Sequence, residues 1–124
     1  MYLKTSILLV LSVFFNFGLA ESVTFEQVQS RTIYEIGDSS VGINGPIYIV
    51  SNRNVESIEF PNLEFVNGPI YIVNNQRLRS VSFPKLKFVN GPIYITYNSS
   101  LETTDFYHDM YINGPIYYFM NFYE

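Results

Sequence analysis

Glu59 and Asp105 stand 46 residues apart, and so do Glu56 and Glu102. That separation is twice a 23-residue period running through the chain. A fold that stacks its repeats puts each pair in one column, about 9.6 Å apart at a strand spacing of about 4.8 Å. The distance would suit an inverting glycosidase, in which one carboxyl protonates the leaving oxygen and the other activates water. The intervening residues, Ser82 and Arg79, add nothing to that chemistry. A solvated face explains the same pattern without a substrate cleft. His108 is the only histidine and has no nucleophile partner in a triad pattern. There is no phosphate loop and no metal-ligand spacing. No catalytic, cofactor-binding or metal residue is expected, and no cofactor.

Two other features carry chemistry of a different kind. Asn98-Ser99-Ser100 is an N-glycosylation acceptor, expected in a polar corner where a glycan is accessible. Tyr48, Tyr71, Tyr94 and Tyr117 recur at intervals of 23 and alternate with isoleucines. Period-2 alternation turns them outward, so they form an aromatic strip. Such a strip suits a protein partner or a sugar ring, although ring-on-ring stacking along a sheet accounts for the same column.

The elements that must position these residues are legible in the repeat. Asn-Gly-Pro-Ile-Tyr occurs at Asn44–Tyr48, Asn67–Tyr71, Asn90–Tyr94 and Asn113–Tyr117, with no insertion or deletion. A fixed period in this range marks a solenoid. Ile47, Ile70, Ile93 and Ile116 form one inward column. Phe60, Phe83 and Phe106 form another. Short β-branched and aromatic runs such as Ile70–Val73, Ser80–Phe83 and Leu86–Val89 predict strands, and no helical period competes. Pro46, Pro69 and Pro92 mark one corner, Pro61 and Pro84 a second, and the polar runs Ser51–Asn54 and Asn74–Arg77 a third. The expectation is an all-β parallel β-helix of about four 23-residue rungs with three short strands each. Two asparagine columns, Asn44/67/90/113 and Asn52/75/98/121, are assigned to corners, where asparagine tolerates left-handed backbone and its amides bond along the stack.

The first residues bound the compartment. Lys4, an apolar run from Ile7 to Phe17 and then Gly18-Leu19-Ala20 have the layout of a secretory signal peptide over residues 1–20. The run is too short to span a bilayer. Residues 21–43 are assigned to a degenerate first rung or cap, and 44–124 to the repeats. Without Lys4 the chain carries six basic and eleven acidic residues, a net charge of −5. That argues against nucleic acid as a partner. There is no cysteine. Small secreted domains usually rely on disulfides, so this one depends on its core and its backbone ladders.

From Leu63 to Leu78 the pattern is L-x-x-V-x-G-x-I-x-I-x-x-N-x-x-L, with Phe-Pro-x-Leu at Phe60–Leu63 and Phe83–Leu86. It resembles the receptor L-domain repeat, over about Ile43–Tyr118. That family includes the ligand-binding lobes of insulin- and EGF-receptor ectodomains, nematode receptor-L-domain proteins and fungal cell-wall glycoproteins. The resemblance implies a right-handed β-helix and an extracellular setting. Cysteine-rich modules, a membrane span and a kinase are not found in this sequence, so receptor signalling is not implied. A leucine-rich repeat fits the second half of the motif, but the return segment Ser80–Val89 reads as two strands and a proline corner.

The expected function is extracellular binding or recognition without catalysis. One alternative is a structural cell-surface or matrix glycoprotein without a dedicated ligand. Another is a carbohydrate-active β-helix enzyme. An extracellular protein or glycan is the expected ligand class. The aromatic segment Tyr117–Tyr123 predicts end-to-end pairing with a second copy or docking onto a partner.

Overall fold

A computed structural model describes residues 10–16, 19–34 and 42–121. Among these residues the chain is all-β and forms a parallel β-solenoid of about four turns. Each full rung supplies three strands. The first face stacks β5 (Ile47–Val50), β8 (Ile70–Val73), β11 (Ile93–Thr96) and β14 (Ile116–Phe119). The second stacks β3 (Thr32–Tyr34), β6 (Ser57–Glu59), β9 (Ser80–Phe83) and β12 (Thr103–Phe106). The third stacks the two-residue strands β4 (Gly42–Ile43), β7 (Phe65–Val66), β10 (Phe88–Val89) and β13 (Tyr111–Ile112). From β5 onward every pairing is in register at 23 residues, as with Ile70 opposite Ile93 and Ser82 opposite Asp105.

β2 (Leu19–Glu26) turns the first corner as one strand. Ala20 pairs with Ile43, whereas Val23 pairs with Ile47, so one residue of the corner is missing. Thr32 then pairs with Ser57, a further step out of the 23-residue period. β1 (Val10–Asn16) runs antiparallel to β2. Cutting after Ala20 would remove β1 and leave the pairing of Val23–Glu26 with β5 in place.

The inward columns form one core. Ile47, Ile49, Ile58, Ile70, Ile72, Val81, Leu78, Leu86 and Ile93 are buried, Phe60 and Phe83 stack within it at 4.9 Å, and half-buried Phe106 stacks on Phe83 at 5.5 Å. In the last rung Asp109 replaces the inward leucine. It is exposed, and Met110 beside it packs against the core instead.

Glycine and proline make the Asn-Gly-Pro corner close-stacked. A Cβ on Gly68 would lie 2.8 Å from the carbonyl carbon of Gly45, and one on Gly91 2.9 Å from the nitrogen of Pro69. Successive corners therefore touch through their backbones. The proline lacks an N–H, yet its carbonyl still accepts from the rung before, as in Ile47 N–H to Pro69 O at 3.0 Å.

The left-handed backbone sits elsewhere than expected. Gln27, Ser51, Asn74, Tyr97 and Met120 have φ between 55° and 61°. They occupy the position just before the second asparagine column and the equivalent place in the first rung. Neither asparagine column is left-handed. Those side chains hold the corner by hydrogen bonds instead.

Candidate functional site

The two asparagine columns do different work. Asn67, Asn90 and Asn113 are exposed, and each Nδ2 donates to the Oδ1 of the rung before, at 2.8, 2.8 and 2.9 Å. Asn52, Asn75, Asn98 and Asn121 are fully buried. Asn75 shows the pattern. Its Nδ2 donates to Ile49 O and to Asn98 Oδ1, both at 3.0 Å. Its Oδ1 accepts from the backbone N–H and the Nδ2 of Asn52, both at 3.0 Å. Every donor and acceptor of the amide is used. Among the described residues no buried side-chain polar atom lacks a partner.

This burial corrects the expectation that Asn98 stands in an open corner. Its Nδ2 donates to Ile72 O at 2.9 Å and to Asn121 Oδ1 at 3.0 Å. A glycan on that nitrogen would replace one of those hydrogens and needs space the ladder fills. Ser100 of the same motif donates its hydroxyl to Gln76 O at 2.7 Å.

The carboxylate columns lie on the second face. Glu59, Ser82 and Asp105 are successive rungs of it, with Ser82 Oγ donating to Asp105 Oδ2 at 3.4 Å. Glu59 and Asp105 are exposed. Glu102 pairs with Arg79 at 3.2 Å, whereas Glu56 faces Arg31 at 3.9 Å. Glu64 lies 3.9 Å from Lys87. These pairs are solvated and each contributes well under about 1 kcal/mol. A shallow hollow beside them is lined by Arg77, Arg79, Glu56 and Glu102, whose charges largely answer one another. His108 is exposed, 3.3 Å from Asp109, with its ring against Tyr107. Among the described residues no group of three His, Asp or Glu side chains is placed to hold a metal. No helix among them is long and apolar enough to cross a membrane.

The tyrosine column is the most ordered outward feature. Tyr48 and Tyr71 stack at 5.1 Å and 5°, Tyr71 and Tyr94 at 4.8 Å and 6°, and Tyr94 and Tyr117 at 4.7 Å and 14°. The spacing is the strand spacing, so the rings inherit their order from the backbone ladder. Their faces are given to one another. What they present outward is ring edges, positive in the aromatic quadrupole, and a row of hydroxyls. Tyr48 and Tyr117 are about two-fifths exposed, and Tyr71 and Tyr94 are half-buried between them. Burial, then the neighbouring Tyr94 and Tyr48, pushes the Tyr71 hydroxyl above the ordinary value of 10.0, which keeps it a neutral donor.

The column's neighbours are apolar apart from Thr96. Val50, Val73, Thr96 and Phe119 flank it on one side, and Pro46, Pro69, Pro92 and Pro115 on the other. β5, β8, β11 and β14 contain no charged residue. Glu26 of β2, exposed and in register with Val50, puts one carboxylate at the first rung of this face. From β5 onward the face differs from the second, with its carboxylates, and from the third, edged by Glu64 and Lys87. The sequence located the column. It did not show that the rings stand on edge, which follows from the translation between rungs.

Compared with protein-family models, curated proteins and solved structures, the chain matches none.

Proposed function

We propose that this chain is an extracellular, non-catalytic recognition protein of receptor L-domain type, and that its contact surface is the tyrosine face. The observation behind this reading is a stacked, hydroxyl-edged aromatic column on strands β5, β8, β11 and β14 that carry no charge, in a chain of net charge −4. An apolar, flat, pre-ordered strip loses little conformational entropy on contact, because its rings are already fixed by the ladder. The extracellular setting rests on the leader-like residues 1–20. The L-domain reading rests on the motif from Phe60 to Leu78 and on the three-strand rung.

The edge-on rings favour a protein partner over a sugar. A sugar ring stacks on an aromatic face, and the inner faces here are occupied. Ring edges and hydroxyls instead suit backbone carbonyls and side-chain oxygens of a facing protein surface. The test is binding of the chain to arrays of extracellular proteins and of glycans, alongside the variant carrying Tyr71→Ser and Tyr94→Ser. We expect protein hits that the variant loses while its circular dichroism is unchanged. Unchanged binding by a folded variant would sink the assignment. Hydrolysis or cleavage of a polysaccharide, lost on mutation of Glu59 and Asp105, would favour an enzyme instead.

End-to-end pairing with a second copy belongs to the same reading. Ile116, Tyr118, Phe119 and Met120 are about half exposed, although Ile93 and Ile95 in the same inward columns are buried. Among the described residues the outer edge of β14 carries no further strand. Phe122, Tyr123 and Glu124 lie outside the described residues.

A further inference from the structure

We propose that two copies of this chain join tail to tail across a two-fold axis at Tyr117, which merges their tyrosine columns into one strip. The pairing stands on the geometry of the last rung. Its use as a shared contact surface rests on the tyrosine-face reading above.

The last rung ends in an open edge of defined pattern. In the rungs before it the inward isoleucine donates its N–H to the following rung, as from Ile47 to Pro69, Ile70 to Pro92 and Ile93 to Pro115. Hydrogen bonding along a strand alternates, so inward residues turn N–H and C=O to the following rung and the tyrosines turn theirs back. In β14 the inward residues are Ile116 and Tyr118, in register with Ile93 and Ile95. Their N–H and C=O therefore reach an edge that no described strand occupies. They are 53% and 49% exposed, against 1% and 2% for Ile93 and Ile95. A strand laid there must bring both a ladder and apolar side chains that face inward.

A second β14 meets both needs. A two-fold axis normal to the first face keeps inward residues inward and makes the paired strands antiparallel. With the axis at Tyr117, Ile116 and Tyr118 exchange hydrogen bonds with Tyr118 and Ile116 of the second copy. Tyr117 then faces its own counterpart in the closer, non-hydrogen-bonded kind of pair, about 4.5 Å between Cα atoms. Moving the axis one residue along enlists Gly114 or Met120, which lie outside the strand, Met120 at φ 58°. β14 carries no charge, so like meets like without repulsion in a chain of net charge −4. The other end is a poorer seat, because β1 holds the outer edge of β2. Without β1, β2 would set Thr24 against Tyr117 and Glu26 against Phe119, as it sets them against Tyr48 and Val50. That would break the tyrosine column and bring a carboxylate to a phenyl ring. Tail-to-tail pairing instead gives one column of eight rings, four from each copy.

The test uses the absence of cysteine from the chain. Sedimentation equilibrium of the native chain should give twice the monomer mass, with no larger species as concentration rises. Under mild oxidation Tyr117→Cys should form a disulfide-linked dimer, since the paired Cα atoms lie within the span a disulfide takes. Tyr48→Cys, at the far end of the same column, should remain unlinked. Ile116→Lys alters a side chain already exposed in the single copy, so it should keep the native circular dichroism and sediment as a monomer. Its capture of a protein partner should be weaker by about tenfold or more, because half of the strip is gone. A monomer at every concentration, growth beyond a dimer, or a disulfide between Tyr117→Cys and Thr24→Cys chains would overturn the proposal. A dimer linked at position 117 that captures no protein would uphold the pairing and overturn the recognition reading. Undiminished capture by monomeric Ile116→Lys would uphold recognition and overturn the shared strip.

Discussion

The Asn75 amide meets four partners in the interior, and removing it leaves the Asn52 backbone N–H without its acceptor and breaks three further buried bonds. Leaving buried donors and acceptors unpaired costs about 1–3 kcal/mol each before relaxation. Asn75→Ala should therefore destabilise the chain by roughly 3 kcal/mol, read as a lower denaturant midpoint. Asn67→Ala, on the exposed column, should cost well under about 1 kcal/mol because water replaces its bonds. Both columns were legible as corners from their spacing. Which one is buried was not, since the two share residue type and period. The left-handed positions were illegible for a different reason. Ser51, Asn74, Tyr97 and Met120 have no common side chain to mark them. Tyr97 pays a steric penalty at φ 59° that asparagine pays less of. Tyr97→Asn should hold stability constant or raise it by about 0.5 kcal/mol, despite losing the edge contact with Phe119. Tyr71 adds a pH dependence. Its folded pKa lies above the unfolded one, so the unfolded chain loses the proton first. The stability it contributes is full below the ordinary value of 10.0 and declines as pH rises through the folded value. Denaturant midpoints measured at about pH 9 and about pH 11 should fall, and Tyr71→Phe should flatten the difference.

At the scale of strands and corners, period decides almost everything. Once the 23-residue step is set, each strand's register and inward face follow, because a slip by one residue would put every tyrosine in the core. That is why the columns read from sequence reappear as strand partners from β5 to β14. The first rung was not legible in such detail. It lacks the Asn-Gly-Pro corner, and its pairings are displaced by one and then two residues from the period. The Asn-Gly-Pro corner itself has no room to vary. Gly68→Ala would drive a methyl against the Gly45 and Pro46 backbone, which cannot swing away as a side chain can. We expect a loss of about 2 kcal/mol or more, measured by thermal unfolding, and a similar loss for Gly91→Ala.

For the molecule as a whole, the parallel strand pairings among the described residues run between adjacent rungs, so stability accumulates along one axis and the ends are weakest. The same buried asparagine that builds the core excludes sugar from it. Secreted chain should show no mobility shift after N-glycosidase treatment. A shift mapped to Asn98 would mean that the ladder is open there. The apolar last rung should make the chain associate, giving a dimer by light scattering, whereas a monomer at high concentration would contradict that. The central claim concerns the one face that differs from the other two. Its most direct test is paired affinity capture from the chain's own extracellular fluid, using the native chain, the variant with Tyr71→Ser and Tyr94→Ser, and the variant with Glu59→Ser and Asp105→Ser as baits. The account predicts a saturable protein partner held by the native and carboxylate-variant baits and lost by the tyrosine variant. Equal recovery by all three folded baits would contradict it.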